Sequence, residues 1–209
     1  MLVGLHDDAA RDAELVGEPA GGRQRRPAGQ LPRADRVADR QLWPSLGRQG
    51  DPRFGEIQAE LAASCDAFLM GRRTYDGFAP VWPTRSGDVV SDQINAMPKY
   101  VVSNSLKNPE WNNTHVISGD VAGEIARLKQ APGETIVQYG YGVVTRLLLE
   151  HGLLDELRLW VHPLIVGSGG PGDLLFGAAP ATGFLLTGTT ALSDGVVVLD
   201  YRVDKALSA

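Results

Sequence analysis

The sequence predicts a single α/β domain built on a mixed, mostly parallel β-sheet that is flanked by helices and ends in a C-terminal antiparallel hairpin. From Asp51 onward, short apolar segments of strand length alternate with amphipathic segments of helical spacing. That alternation gives a parallel sheet with helices on its faces. Near the C-terminus two apolar runs flank Asp194–Gly195, a dipeptide that favours a tight turn between antiparallel strands.

Local signals at helix ends support the predicted elements. Pro80 ends one helical turn, Asp120 is the predicted N-cap of another helix, and Gly152 follows the end of a third, in agreement with the preferences of these residue types. The predicted helices cover residues 53–64, 74–78, 120–129 and about 143–150. The predicted strands cover residues 67–70, 100–102, 115–117, 135–138, 156–161, 184–191 and 196–203.

The first fifty residues differ from the rest, so we divide the chain into an atypical segment, 1–50, and a folded domain, 51–209. Between residues 20 and 50 arginine occurs with Gly, Ala, Pro and Gln, without lysine and without helical or strand periodicity. Such a segment buries too little apolar surface to offset its ordering entropy, which predicts disorder. Translation of a GC-rich gene out of frame gives the same composition and stays open as an explanation. Residues 1–5 are a candidate for a short first strand.

The composition argues against several classes of protein. A net charge of −5 gives no basic face for nucleic acid, and no apolar run approaches the ~20 residues that cross a bilayer. The single cysteine, Cys65, allows no internal disulfide or multi-cysteine zinc site and is expected to be a buried, inert thiol. Since the histidines lack metal-ligand spacing, we expect no metal. We expect a cytoplasmic location, because no signal peptide is recognisable.

Three predicted strand ends carry residues suited to binding a nucleotide. After the first of these strands, a glycine, two arginines and a threonine precede a helix, where unpaired N–H groups and guanidinium groups bind phosphate. Taken singly, each motif has a simpler explanation as surface arginines or a turn, and Thr145 replaces the third glycine of a dinucleotide fingerprint. Their common place at strand ends favours a ligand site. The candidate cofactor-binding residues are Gly71, Arg72, Arg73, Thr74, Ser103, Asn104, Gly140, Tyr141, Gly142 and Val143.

These motifs resemble those of the dihydrofolate reductase-like fold. Residues 71–74 resemble its Gly-Arg-x-Thr segment, which grips the cofactor phosphates, and residues 140–142 resemble the glycine-rich turn under the pyrophosphate. The strand that ends at Ser103 is similar to the one that contacts the adenosine end. Residues 147–159, continued by Val161-His162-Pro163, resemble a signature of bacterial riboflavin-biosynthesis reductases, the C-terminal domains of bifunctional deaminase-reductases. Over about residues 51–203 the chain is thus similar to a stand-alone homologue of that family.

The resemblance implies an NADPH-dependent reductase that transfers hydride to a small pyrimidine- or pterin-like heterocycle, with a ribosylaminopyrimidine as the specific candidate. It also implies a homodimer whose remaining partner is a small-molecule substrate, without nucleic acid or membrane. Glu56 lies on the helix that carries the proton-donating carboxylate in dihydrofolate reductases, so it is a candidate catalytic residue. A plain helix-surface carboxylate is the alternative.

One departure from the family leaves a second function open. Family members begin with a central strand that runs into an Asp-Gly turn and a loop over the nicotinamide, and no such Asp-Gly follows residues 1–5. The alternative is therefore a non-catalytic nucleotide-binding module, or an inactive homologue that lacks the substrate half of the site. Whether the segment before Asp51 forms both a strand within the sheet and a loop over the cleft separates the two hypotheses.

Overall fold

The computed structural model describes residues 2–5, 51–164 and 181–206. The helices are α1 Arg53–Ser64, α2 Arg72–Phe78, α3 Val89–Ala96, α4 Val121–Lys129 and α5 Val143–Glu150. The strands are β1 Leu2–Leu5, β2 Cys65–Gly71, β3 Lys99–Val102, β4 Thr114–Ile117, β5 Thr135–Tyr139, β6 Glu156–Val161, β7 Gly183–Ala191 and β8 Val197–Asp204.

The strands form one eight-stranded sheet in the order β4-β3-β2-β5-β1-β6-β8-β7. Strands β2, β3, β4 and β5 pair in parallel, whereas β6, β8 and β7 pair antiparallel. Gly195 has a φ of +89° in the turn between β7 and β8, which glycine adopts at little cost. This architecture confirms the predicted mixed sheet, with a parallel part flanked by helices and a C-terminal antiparallel hairpin. Among the described strands three pairings are parallel and four are antiparallel, because β1 runs against both of its neighbours.

Strand β1 joins the two halves of the sheet. It lies between β5 and β6 and runs antiparallel to both, with Leu2 opposite Tyr139 and Leu5 opposite Ile136. The candidate first strand therefore exists and is central. Because Ile136 lies near the start of β5, β1 ends at the amino edge of the parallel strands. Residues 6–50 lie outside the described residues, so their predicted disorder or out-of-frame origin stays a prediction.

Several element boundaries differ from the predicted ones, and one helix was not predicted. Strand β2 begins at Cys65 and α2 follows directly at Arg72, so strand and helix meet without the expected gap. Helix α3 was not predicted; its eight residues begin with two β-branched valines, which favour strands. A capping signal was present nonetheless, since the Asp88 carboxylate accepts a hydrogen bond from Ser91 N at 2.9 Å. The Asp120 cap of α4 is confirmed by its bond from Gly123 N at 3.0 Å.

Alternating residues of β2 pack against helices on opposite faces of the sheet. Phe68 packs against Phe78 of α2, with ring centroids 5.9 Å apart. Its neighbour Ala67 faces a shallow cavity that Leu128 of α4 also lines. Cys65 is buried as expected, and burial raises the pKa of its thiol to about 12. No helix among the described residues is long and apolar enough to span a bilayer.

Lys99 is a fully buried cation at the start of β3. Its ammonium donates a hydrogen bond to Asn95 O at 2.6 Å, near the C-terminus of α3, and lies 4.8 Å from the centroid of the Trp111 ring. Both contacts favour a positive charge. Desolvation nevertheless lowers the pKa of Lys99 from 10.5 to about 8, because a low dielectric disfavours the charged form.

We predict that Lys99 makes the stability of the protein depend on pH between 8 and 10.5. In this window the unfolded state binds more protons than the folded state, so the free energy of unfolding rises with pH, by up to roughly 3 kcal/mol. Urea unfolding at a series of pH values measures this rise. In Lys99→Met the rise should be lost, whereas exposed Lys107→Met is the matched control and should keep it. Identical pH profiles for the two variants would contradict the assignment.

Candidate functional site

The site is built where two neighbouring parallel strands end. Strands β2 and β5 pair in parallel, so their carboxyl ends lie at the same edge of the sheet. Helix α2 begins after β2 with Gly71 as its N-cap, and α5 begins after β5 with Gly142 as its N-cap. Neither N-cap glycine provides a side chain to bond the first N–H groups. Two helix starts that suit an anion therefore meet at one edge.

The two turns before these helices are in close contact. A Cβ added at Gly71 would lie 3.4 Å from Val144 Cγ2, and one added at Gly140 would lie 3.9 Å from Thr74 Oγ1. Gly140 also has a φ of +85°, a conformation that disfavours any residue with a Cβ. The two segments thus lie within van der Waals contact of each other, and Gly140 permits the turn that opens α5.

Arg72 connects the first turn to the loop after β3. Its Nε donates to Asp76 Oδ1 at 2.7 Å, and its Nη1 donates to Ser105 Oγ at 3.4 Å. The buried Ser103 folds that loop, because its Oγ accepts hydrogen bonds from Ser105 N at 3.2 Å and Leu106 N at 3.0 Å. The guanidinium is therefore held at the sheet edge by a carboxylate and a hydroxyl, and the predicted first and second motifs are brought together.

Buried polar residues that sequence reasoning missed fix the third motif. Gln138 is almost fully buried in β5, and its Nε2 donates to Gly140 O at 2.7 Å. Thr145 donates to Gln138 Oε1 at 3.0 Å and approaches Gly140 O at 3.2 Å. Two features of the sequence could have revealed these residues: a glutamine within an apolar strand, and a threonine at the position where a dinucleotide-binding fingerprint has glycine. This network holds the turn from inside the protein, which leaves its outer side for a ligand.

The remaining candidate residues lie around these turns. Arg73 and Asn104 are exposed, and Val143 is 78% exposed at the first position of α5. Tyr141 is half-buried, and burial raises the pKa of its hydroxyl. Arg146 adds positive charge to the start of α5, with its Nε 3.5 Å from Gly142 O. Helix starts and arginines at one edge can bind a pyrophosphate or a phosphate monoester.

Glu56 lies in a different environment. It is exposed in the first turn of α1, and its carboxylate accepts no hydrogen bond among the described residues. The start of α1 is attached to the hairpin instead, where the Asp51 carboxylate accepts bonds from Arg53 and from Ser193 N at 2.7 Å. These bonds, with the one from Arg53 first, hold the pKa of Asp51 well below its usual range. The catalytic role of Glu56 stays a prediction.

Comparisons with known proteins agree with the resemblance. The family model described as the RibD C-terminal domain matches residues 37–198, starting before the boundary predicted at Asp51. An uncharacterized protein of Bacillus subtilis, YyaP, is 28% identical over 141 residues, which cover 66% of this chain and 73% of that protein.

A solved structure shares the fold of this chain. A protein of Shewanella sp. PV-4, described as a riboflavin biosynthesis protein, aligns with a TM-score of 0.53 at 21% identity, over 70% of this chain and 78% of its own. A pyrimidine reductase-like protein of Corynebacterium diphtheriae gives a TM-score of 0.49 at 14% identity, over 75% and 83% of the two chains.

We predict that the two glycines of the third motif respond differently to alanine. Gly140→Ala should lower the free energy of unfolding by about 1–2 kcal/mol, because alanine is strained at positive φ. Gly142→Ala is the matched control, since Gly142 has an extended φ of −167° and its added Cβ would meet nothing within 4 Å. Urea unfolding of both variants measures the difference. Equal destabilisation would show that the turn is not held as described.

Proposed function

The chain belongs to the RibD C-terminal domain family, and from this membership we propose that it is an NADPH-dependent reductase. Membership supports a reductase of the riboflavin-pathway type. The proposed reaction transfers a hydride to a small pyrimidine- or pterin-like heterocycle, with a ribosylaminopyrimidine as the specific candidate. The nicotinamide would supply the hydride, and the protein would bind and orient the two reactants.

One observation carries the proposal: two helix starts without side-chain caps meet beside an arginine at the carboxyl edge of the sheet. The N–H groups of α2 and α5 suit the oxygens of a pyrophosphate. The bond from Arg72 to Ser105 places a guanidinium toward the loop after β3, where the resemblance locates the adenosine end. Arg72 and Arg73 would there pair with the 2′-phosphate that distinguishes NADPH from NADH.

An aromatic cluster that packs against the hydrophobic core lies next to the strand leading into the third motif. Tyr139 immediately precedes Gly140, and its ring centroid lies 6.0 Å from that of Phe78. Phe78 in turn lies 5.9 Å from Trp82, which is half-buried and carries the Arg85 guanidinium 5.0 Å above its ring. Aromatic faces of this kind stack with flat rings. The cluster is our candidate for the wall of the substrate cleft.

The direction of β1 favours a second candidate, a nucleotide-binding module without turnover. The family resemblance implies a central strand that leads into a loop over the nicotinamide. Here β1 ends with Leu5 opposite Ile136, at the edge opposite Gly71 and Gly140. Strand β1 thus ends far from the proposed cofactor edge. In this alternative the chain keeps the phosphate-binding turns and lacks the part of the site that binds the substrate.

Titration with NADPH, followed by tryptophan fluorescence or calorimetric heat, tests the cofactor site. The double variant Arg72→Ala/Arg73→Ala should bind NADPH at least about tenfold more weakly, because charge-assisted bonds to phosphate are lost. NADH binding should change less, since it lacks the 2′-phosphate. Arg127→Ala removes an exposed arginine of α4 that pairs with Glu124 and is the matched control with unchanged affinity.

Turnover separates the two candidates once binding is established. Oxidation of NADPH in the presence of a ribosylaminopyrimidine, measured by the loss of nicotinamide absorbance, would support the reductase. Tight NADPH binding without oxidation by any pyrimidine or pterin substrate would favour the binding module. A folded protein that binds neither dinucleotide would contradict both proposals.

A further inference from the structure

A half-buried asparagine in α3 uses its whole amide group to hold two neighbouring segments. Asn95 Nδ2 donates hydrogen bonds to Trp82 O at 2.9 Å and to Arg85 O at 3.0 Å. Its Oδ1 accepts a hydrogen bond from Trp111 Nε1 at 2.9 Å. Both N–H groups of the amide are therefore used, and both bind backbone carbonyls of one loop. Asparagine is unfavourable within a helix because its side chain competes for backbone groups, and these bonds offset that cost.

The loop that receives the bonds connects α2 to α3 and covers residues 79–88, and we call it the 79–88 loop. Ala79 and Trp82 are half-buried, whereas the other residues of the loop are exposed. Trp82 starts a 3-10 turn, Trp82–Thr84, and Arg85 N donates back to Trp82 O at 3.0 Å. The Arg85 guanidinium lies 5.0 Å from the centroid of the Trp82 ring. Asn95 thus binds the backbone of both residues that form this cation–π contact.

Asn95 is itself held from the protein interior. The fully buried Lys99 donates from Nζ to Asn95 O at 2.6 Å. Trp111 is 3% exposed and packs against Phe68, with ring centroids 6.4 Å apart. Its backbone N donates to the hydroxyl of Tyr75 in α2 at 3.4 Å. Because buried groups in a bonded network have little freedom to move, Asn95 gives the 79–88 loop a fixed point of attachment.

We propose that Asn95 is a positioning residue, which fixes Trp82 at the wall of the substrate cleft and so sets the affinity for a planar heterocycle. This role rests on the proposed function, in which Phe78, Tyr139 and Trp82 form that wall. Trp82 reaches the cluster through Phe78, with ring centroids 5.9 Å apart. A ring that is already held in place stacks with a flat ligand without first losing its own freedom, which favours binding.

A role in stability alone is the alternative, and a second asparagine separates the two roles. Asn113 Nδ2 also donates to a backbone carbonyl of α3, Ala96 O, at 2.8 Å, but this bond does not involve the 79–88 loop. Asn95→Asp keeps the size of the side chain and the oxygen that accepts from Trp111, and it removes both N–H donors. Asn113→Asp makes the same chemical change away from the loop and is the matched control.

Acrylamide quenching of tryptophan fluorescence measures the position of Trp82 without any ligand. The contribution of Trp82 is the difference between each protein and its Trp82→Phe counterpart. Asn95→Asp should raise the quenching constant of Trp82 at least about twofold, because the loop loses two bonds and the ring becomes more accessible. Asn113→Asp should leave it unchanged. An unchanged quenching constant in Asn95→Asp would overturn the proposal.

Titration of a ribosylaminopyrimidine into protein saturated with NADP⁺, which has no hydride to donate, measures the effect on the substrate. Asn95→Asp should raise the Kd of the pyrimidine about tenfold and leave the affinity for NADP⁺ unchanged, because the phosphate-binding turns keep their bonds. Trp82→Leu should also weaken pyrimidine binding. The double variant Asn95→Asp/Trp82→Leu should bind no more weakly than Trp82→Leu, since Asn95 acts through Trp82. Additive losses would overturn the proposal.

Two further outcomes separate this role from the proposed function and from stability. A wild-type protein that binds NADP⁺ but no pyrimidine would overturn the substrate class of the proposed function and the link from Asn95 to that substrate, whereas a raised quenching constant in Asn95→Asp would still support the attachment of Trp82. Urea unfolding checks that both aspartate variants are folded. Equal losses of pyrimidine affinity in Asn95→Asp and Asn113→Asp would overturn the proposal, because a general loss of stability would then explain both.

Discussion

The parallel pairing of β2 with β5 is the constraint on which the candidate site depends. It brings Gly71 and the turn at Gly140 to the same sheet edge, where Val144 lies close to Gly71. The N-termini of α2 and α5 are then neighbours at this edge, and no long loop is needed to bring them together. Buried hydrogen bonds from Gln138 and Thr145 hold the turn at Gly140 from the protein interior. The N–H groups at the start of α5 are therefore positioned before a ligand binds.

The sheet consists of two halves with different roles. The parallel half, β2 to β5, holds the turns that we propose to bind phosphate. The antiparallel half, β6 to β8, holds the start of α1 through Asp51 and Ser193. Only β1 pairs with both halves among the described strands. A four-residue strand, Leu2–Leu5, therefore sets how the halves meet, and its antiparallel direction separates this chain from the arrangement that the family resemblance implies.

Much of this architecture could be predicted from local patterns. Helical periodicity, the Asp120 cap and the Asp194–Gly195 turn each act over a few residues, so the sequence displays them directly. The loop around Ser103 and the support from Gln138 could not be predicted, because they depend on which strands become neighbours. Helix α3 escaped prediction because it is short and begins with two β-branched valines, although Asp88 marks its start. The orientation of β1 is set by pairing with residues more than 130 positions away, which no local pattern records.

Hydrogen–deuterium exchange with and without saturating NADPH tests the central claim most directly, since backbone N–H groups at the two helix starts are the proposed phosphate ligands. Exchange should slow together at residues 72–75, 103–106 and 143–146, while β7 stays unchanged. Saturated binding that leaves the first turns of α2 and α5 unprotected would contradict the account, because the cofactor would then be bound elsewhere on the protein.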